Sequence, residues 1–278
     1  MASAKVWFIT GSSTGFGRLL VEELLLRGEL VVATARKPET LTFLTERYRD
    51  QIIVRSLDVT DSEECERAVK AALQTFGRID VLVNNAGFGV YGSLEEVPMS
   101  LVREQFETNV FGVHNVLKAV LPAMRAQRSG TILNISSIAG WMSFPGSGIY
   151  GSSKFALEGL TESLHAEILP LGIRAILIEP GSFQTNFYGH NYRRIANEIE
   201  DYNETAGKTL EFFDSFQGHQ PGDPIKAVKA MIDIAEHSNP PLRLLLGSDA
   251  FDRATANLKA VQQNFDEWES VTRSVDKD

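Results

Sequence analysis

A single cysteine, Cys65, occurs in 278 residues, so no disulfide can form within the chain. It lies in the charged helical run "DSEECERAVKAAL" and reads as an inert helix thiol rather than a nucleophile. Long apolar runs are also missing. The best candidate, "LLVEELLLRGELVVATA", is broken by Glu22, Glu23, Arg27 and Glu29, well short of the roughly 18 apolar residues that would span a bilayer. The opening "MASAKVWFIT" has no apolar core of a signal peptide. Basic charge is scarce, with 27 Lys and Arg against 36 Asp and Glu and a net charge of −9, which argues against nucleic acid as a partner. Short clusters such as Arg47-Tyr48-Arg49 and Arg193-Arg194 read as solvated surface. The five histidines (114, 165, 190, 219 and 237) are scattered, without a His-x-x-x-His pair, so no metal site is expected. Together these absences lead us to expect a soluble cytoplasmic protein without a membrane segment.

What is present is a regular alternation. Apolar strand-like runs "KVWFIT" (5–10), "ELVVATA" (29–35), "QIIVRSLD" (51–58), "IDVLVNNAG" (79–87), "GTILNISS" (130–137) and "IRAILIEPG" (173–181) alternate with helical patterns. The helices are expected at 16–28, 39–49, 62–76, 100–128 and 149–169. Strands apolar throughout, separated by helices, predict a parallel sheet covered on both faces. Short connections and right-handed crossovers make this an α/β, doubly wound Rossmann-type sheet in three layers. The pattern stops after 182, where 183–223 is aromatic and polar and shows no strand. It resumes with a helix at 224–237, a strand at 242–248 and a helical tail over 250–278. The expectation is one domain, 1–278, with 183–223 as an excursion that covers the substrate.

The first strand ends in Thr10-Gly11-Ser12-Ser13-Thr14-Gly15-Phe16-Gly17. Glycines at this spacing let the backbone turn tightly and approach a pyrophosphate, which then meets the free N–H groups of a helix start. That predicts dinucleotide binding through Gly11, Ser13, Gly15, Phe16 and Gly17. An acid at the end of the second strand would hold the ribose hydroxyls of NAD. Here "VVATARKPE" offers Arg36 and Lys37 instead, and a guanidinium can fork a 2′-phosphate, which predicts NADP(H) in preference to NAD(H).

In a sheet of this kind the ligand lies beyond the carboxyl ends of the strands. Asp58, Asn84-Asn85-Ala86-Gly87, Ser136-Ser137 and Pro180-Gly181 all fall there. Tyr150 opens the next helix and Lys154 follows by four residues, about one turn, placing ammonium and phenol on one face.

Thr10 to Gly17, Asn84 to Gly87, Ser137, Tyr150-x-x-x-Lys154 and Pro180-Gly181 resemble the short-chain dehydrogenase/reductase family, in its roughly 250-residue branch. The resemblance covers about residues 5–185 and the strand near 242–248. It implies that Tyr150 is the general acid/base, that Lys154 contacts the nicotinamide ribose and lowers the tyrosine pKa, and that Ser137 holds the substrate oxygen. Asn109, in "FETNVFG", would anchor a water linking Lys154 to solvent. Ser136 competes for the serine role, but its spacing to Tyr150 fits less well. By the same resemblance Asp58 and Val59 flank the adenine, Asn85, Ala86 and Gly87 run along the cofactor, and Pro180, Gly181 and Thr185 frame the carboxamide.

Aromatic residues cluster where substrate is expected, with Phe88, Trp141, Phe144 and Tyr188 as the predicted pocket wall. They favour a bulky, largely apolar ketone, aldehyde or alcohol, such as a steroid, retinoid or aryl compound. The "GFG" turn and the "ATAR" strand end resemble hydroxysteroid- and retinol-dehydrogenase-like members. Helices 100–128 and 149–169 carry apolar residues beyond one stripe (Phe111 and Phe155 among them); the resemblance implies that these helices pair between subunits in a homodimer or homotetramer, with burial within one subunit as the alternative. Two other readings are weighed. A catalytically silent NADP(H)-binding regulator has no need of Asn109, Ser137, Tyr150 and Lys154 together. A sugar-nucleotide epimerase or dehydratase usually has a different glycine turn and a longer C-terminal substrate domain.

Overall fold

The computed structural model describes residues 4–185, 191–196 and 198–277. Strands β1 (Val6–Ile9), β2 (Leu30–Ala35), β3 (Ile52–Ser56) and β4 (Val81–Asn84) are followed by a short β5 (Gly89–Tyr91), then β6 (Gly130–Ile135) and β7 (Ile173–Pro180). A second short strand, β8 (Tyr192–Arg194), precedes β9 (Arg243–Leu246). Seven of them form one parallel sheet in the order β3-β2-β1-β4-β6-β7-β9. The order reverses at β1, so the crevice beyond the carboxyl ends of β1 and β4 is the expected ligand position.

Complete burial of β1 and β4 requires a cover on both faces. On one face α1 (Gly15–Leu26), α2 (Thr42–Arg47) and α8 (Pro224–Glu236) supply Leu20, Leu24, Leu44 and Met231 against Trp7, Ile9 and Val83. On the other, α3 (Ser62–Phe76), α5 (Gly112–Gln127) and α6 (Gly148–Ile168) supply Val69, Val120 and Leu157 against Phe8, Leu82 and Ile132. Three layers result, in one domain. Local chemistry sets the helix ends. Asp61 caps α3 by accepting the Glu64 N–H at 3.0 Å, and Gly77 ends that helix in the left-handed region at φ 76°.

Three expectations are corrected. The helix at 100–128 is α4 (Met99–Phe106) and α5 joined by a π turn over Glu107–Phe111, which brings Asn109 inward. The helix at 39–49 is a 3₁₀ turn, Pro38–Leu41, followed by the shorter α2. The excursion 183–223 is not strandless: β8 pairs in parallel with β5, Gly89 opposite Tyr192. Three residues with two arginines carry no readable alternation, so the pairing is invisible to periodicity. The excursion then forms α7 (Lys208–Phe216), and the chain closes with α9 (Ser248–Arg273).

Candidate active site

The turn after β1 is built by backbone geometry. Gly11 sits at φ 68°, and a side chain there would place its Cβ 2.8 Å from Ala86 Cα. Asn85 holds the turn from the neighbouring strand: its amide donates to the carbonyls of Thr10 and Gly11, both at 3.0 Å. Thr10 Oγ1 in return accepts the backbone N–H groups of Asn85 and Ala86, both at 3.0 Å. Ser12 ties the same turn to β2, donating its N–H to Thr34 O at 2.8 Å. Gly17 faces inward, where a Cβ would strike Gly11 O and the Asn85 amide. It permits close packing and does not line the cleft.

The turn opens into a cleft of about 350 Å³ along the carboxyl edge of the sheet. Gly11, Ser13, Gly15, Phe16, Arg36, Asp58, Val59, Asn85, Ala86 and Gly87 line one stretch of it. Ser137, Tyr150, Lys154, Pro180, Gly181 and Thr185 line the other, with Phe88 between. The N-terminus of α1 faces the cleft with no acidic residue in its first turn, and the Thr14 side chain makes no capping bond. Its N–H groups are therefore open to an anion, and Gly15, at φ 56°, keeps the backbone bare of a side chain where Thr185 faces it. Those features fit the diphosphate of a dinucleotide. Arg36 is exposed and has no ion-pair partner among the described residues. Asp58 accepts the N–H and hydroxyl of Thr60 at 3.0 and 2.8 Å, which fixes the turn after β3.

At the far end, Tyr150 and Lys154 rise from the first turns of α6. Lys154 Nζ donates to Ile135 O at 2.8 Å and lies 5.7 Å from the centre of the Tyr150 ring. Burial pushes the lysine down to about 8, and nearby Glu158 opposes that shift. Ser137 Oγ accepts the Ala139 N–H at 3.1 Å and starts a 3₁₀ turn at the cleft wall. Ser136, its sequence competitor, is committed elsewhere: its hydroxyl donates to Glu158. That contact separates two serines that spacing alone leaves close.

Asn109 lies behind this wall and does not line the cleft. Its Oδ1 accepts the Phe88 N–H at 3.1 Å, and its Nδ2 donates to Phe88 O at 2.8 Å and Ser153 Oγ at 3.1 Å. Trp141 and Phe144 are also outside the lining. The Trp141 ring carries the Arg243 guanidinium at 5.3 Å and packs with Ala250 and Ala254 of α9. Phe144 carries Arg253, also at 5.3 Å. Both residues therefore meet α9, and of the predicted pocket wall the structure brings Phe88 alone into the lining of this cleft. Tyr188 lies outside the described residues.

An aromatic cluster packs behind Tyr150 without lining the cleft, and Tyr91 is the member that the sequence pattern did not single out. Tyr91 on β5 stands 5.4 Å from the Tyr150 ring and 4.6 Å from Tyr192 on β8, with Phe213 of α7 edge-on at 5.8 Å. The sequence pattern missed a buried carboxyl pair as well. Glu158, one turn after Lys154, lies 3.3 Å from Arg243 Nε, and the fully buried Glu179 lies 3.5 Å from the same atom. Burial, then the charge of Glu158, pushes Glu179 up to about 8, and burial raises Glu158 too. The i, i+4, i+8 run Tyr150, Lys154, Glu158 is the one sequence signal that points to it.

A doubly wound sheet with a phosphate-binding turn at one end of its cleft and a Ser-Tyr-Lys group at the other defines a nucleotide-dependent oxidoreductase class. The short chain dehydrogenase family profile matches residues 5–194, and the chain belongs to that family. It is 42% identical to a solved short-chain dehydrogenase from Streptomyces avermitilis, covering 99% of this chain and 100% of that one, with a TM-score of 0.92. It is 36% identical to oxidoreductase BOA17 of Botryotinia fuckeliana, covering 96% and 98% of the two chains. A 3-ketodihydrosphingosine reductase of Bacteroides thetaiotaomicron is 38% identical, covering 87% and 88%. Solved structures similar in fold include complexes with NAD and with NADP.

Proposed function

We propose that this chain is an NADP(H)-dependent oxidoreductase that interconverts a bulky, largely apolar ketone or aldehyde with its alcohol. The observation that carries the reading is the shared cleft, in which Ser137, Tyr150 and Lys154 stand at one end and the glycine turn and Arg36 at the other. A bound nicotinamide would supply or accept the hydride. The residues of the chain do the rest. Ser137 donates a hydrogen bond to the substrate oxygen. Tyr150 gives that oxygen a proton in reduction and removes the alcohol proton in oxidation. Lys154, held by Ile135 O, holds the nicotinamide ribose and brings a positive charge that favours the phenolate. Asn109 anchors the water that connects Lys154 to solvent, using the second lone pair of an Oδ1 already fixed by Phe88.

Gly11, Ser13, Gly15 and Phe16 hold the diphosphate, Asp58 and Val59 flank the adenine, and Arg36 takes the 2′-phosphate. Asn85, Ala86 and Gly87 support the middle of the cofactor, with Pro180, Gly181 and Thr185 at its carboxamide. Phe88 and Phe183 in the cleft lining favour an apolar substrate, and the name of the Bacteroides thetaiotaomicron relative supports a ketone. The single buried cysteine supports a cytoplasmic setting. Exposed Phe111 and Phe155 support pairing of copies through α5 and α6.

The purified chain is expected to oxidise NADPH faster than NADH with a panel of bulky ketones, followed by cofactor absorbance. Arg36→Asp is expected to reverse that preference. An unchanged ratio in the variant would remove Arg36 from the 2′-phosphate site, and no turnover of any carbonyl or alcohol would overturn the redox reading.

A further inference from the structure

The first two turns of α9 belong to the body of the protein. Ala250 and Ala254 are buried, and Asn257 donates to Trp141 O at 3.0 Å. From Leu258 onward every described residue through Lys277 is exposed. A helix of some 16 residues, roughly 24 Å, therefore runs on without cover. Isolated helices of that length are marginal in water, and helices in proteins draw most of their stability from a packed apolar face.

The exposed stretch has such a face. Leu258, Val261, Phe265, Trp268 and Thr272 follow one another at alternating steps of three and four, continuing the spacing of Phe251 and Ala254 at the docked end. That is the 3.5-residue repeat of a two-stranded coiled coil, narrower than the stripe of a helix lying on a globular core. Phe265 is 64% exposed and Trp268 57% exposed at the centre of the seam. A surface protein has no reason to present both to water at this spacing.

We propose that α9 pairs with α9 of a second copy of this chain through the seam Leu258–Val261–Phe265–Trp268–Thr272. The positions flanking the seam suit self-pairing. Asn257, Gln262, Asn264 and Val271 are uncharged, and Glu269 would face Asn264 across a parallel pair, so no like charges meet. The apolar surface on the seam is on the order of 400 Å² per copy, at the low end for specific interfaces, which fits a reversible pair. Charge excludes an anionic membrane as the occupant. From 258 to 277 the helix carries Lys259, Arg273 and Lys277 against Asp266, Glu267, Glu269 and Asp276, whereas membrane-surface helices are rich in Lys and Arg. The pairing does not depend on the redox reading, and it uses a surface separate from α5 and α6.

The test is sedimentation equilibrium on the full chain and on Phe265→Glu/Trp268→Glu. Both residues are exposed, and an unchanged thermal midpoint checks that the variant folds. The mass of the variant is expected to be half that of the parent, with self-association weakened at least about 100-fold. As a second reading, emission from the parent is expected to shift to the blue as concentration rises, with the shift lost in Trp268→Phe. A parent that stays monomeric at tens of micromolar, or equal masses for parent and variant, would overturn the proposal. So would a blue shift produced by phosphatidylcholine–phosphatidylglycerol vesicles and not by concentration.

Discussion

The two ends of the cleft are constructed by different means. At the glycine turn the backbone sets the shape, through a left-handed Gly11, two close approaches and the Thr10–Asn85 hydrogen bonds. Around Tyr150 the support comes from exchangeable aromatic side chains packed behind it, Tyr91, Tyr192 and Phe213, carried on a two-stranded sheet and a short helix. Cofactor affinity should therefore fall with changes that alter backbone shape. Substrate preference should respond to changes that resize a ring.

The largest effect expected is on chemistry alone. Tyr150→Phe should lower turnover at least about a hundredfold, the lower end of acid–base contributions, while NADPH titration by fluorescence remains close to the parent. Wild-type turnover would remove Tyr150 from its role. Next is the backbone end. In Gly11→Val the unfavourable φ and the collision with Ala86 should weaken NADPH binding by about tenfold or more, read by the same titration. Parent-like affinity would show that the shape of the turn is not what binds the cofactor.

At the side-chain end, Phe213→Ala should change KM for bulky ketones a few-fold, with NADPH affinity constant. Loss of cofactor affinity in that variant would erase the contrast between the two ends. The smallest effect concerns the carboxyl pair of Glu158 and Glu179 beside Ser136 and Arg243. Folded, Glu179 keeps its proton up to about 8, whereas an ordinary glutamate releases it near 4.5. The folded state thus binds more protons through this window, so stability falls as pH rises across it. Thermal midpoints measured from pH 5 to 8 should decline in the parent and decline less in Glu179→Gln. Equal slopes would show that the pair does not share in the titration.

Much of this organisation was legible in the sequence because it rests on repeated local signals. All seven main strands, the glycine turn and the Tyr150–Lys154 face follow from apolar runs, glycine spacing and the helical period. What escaped depends on contacts between distant segments. β8 is three residues long and is a strand only because β5 lies beside it. Trp141 and Phe144 were read as a pocket wall because they follow Ser137, yet α9, more than a hundred residues later, turns them away. The π turn at Asn109 inserts one residue into a pattern that otherwise reads as unbroken helix.

The β5–β8 pairing bears on the order in which the protein assembles. Its strands lie about a hundred residues apart, joined by hydrogen bonds over only three positions, so closing that loop gives little return until the main sheet has brought the ends together. The glycine turn rests on β1, β2 and β4, strands of the main sheet itself, although its Thr10–Asn85 bonds also span 75 residues. In a stopped-flow refolding experiment NADPH binding should return in an earlier phase than ketone turnover. Tyr150 would receive its aromatic cover last.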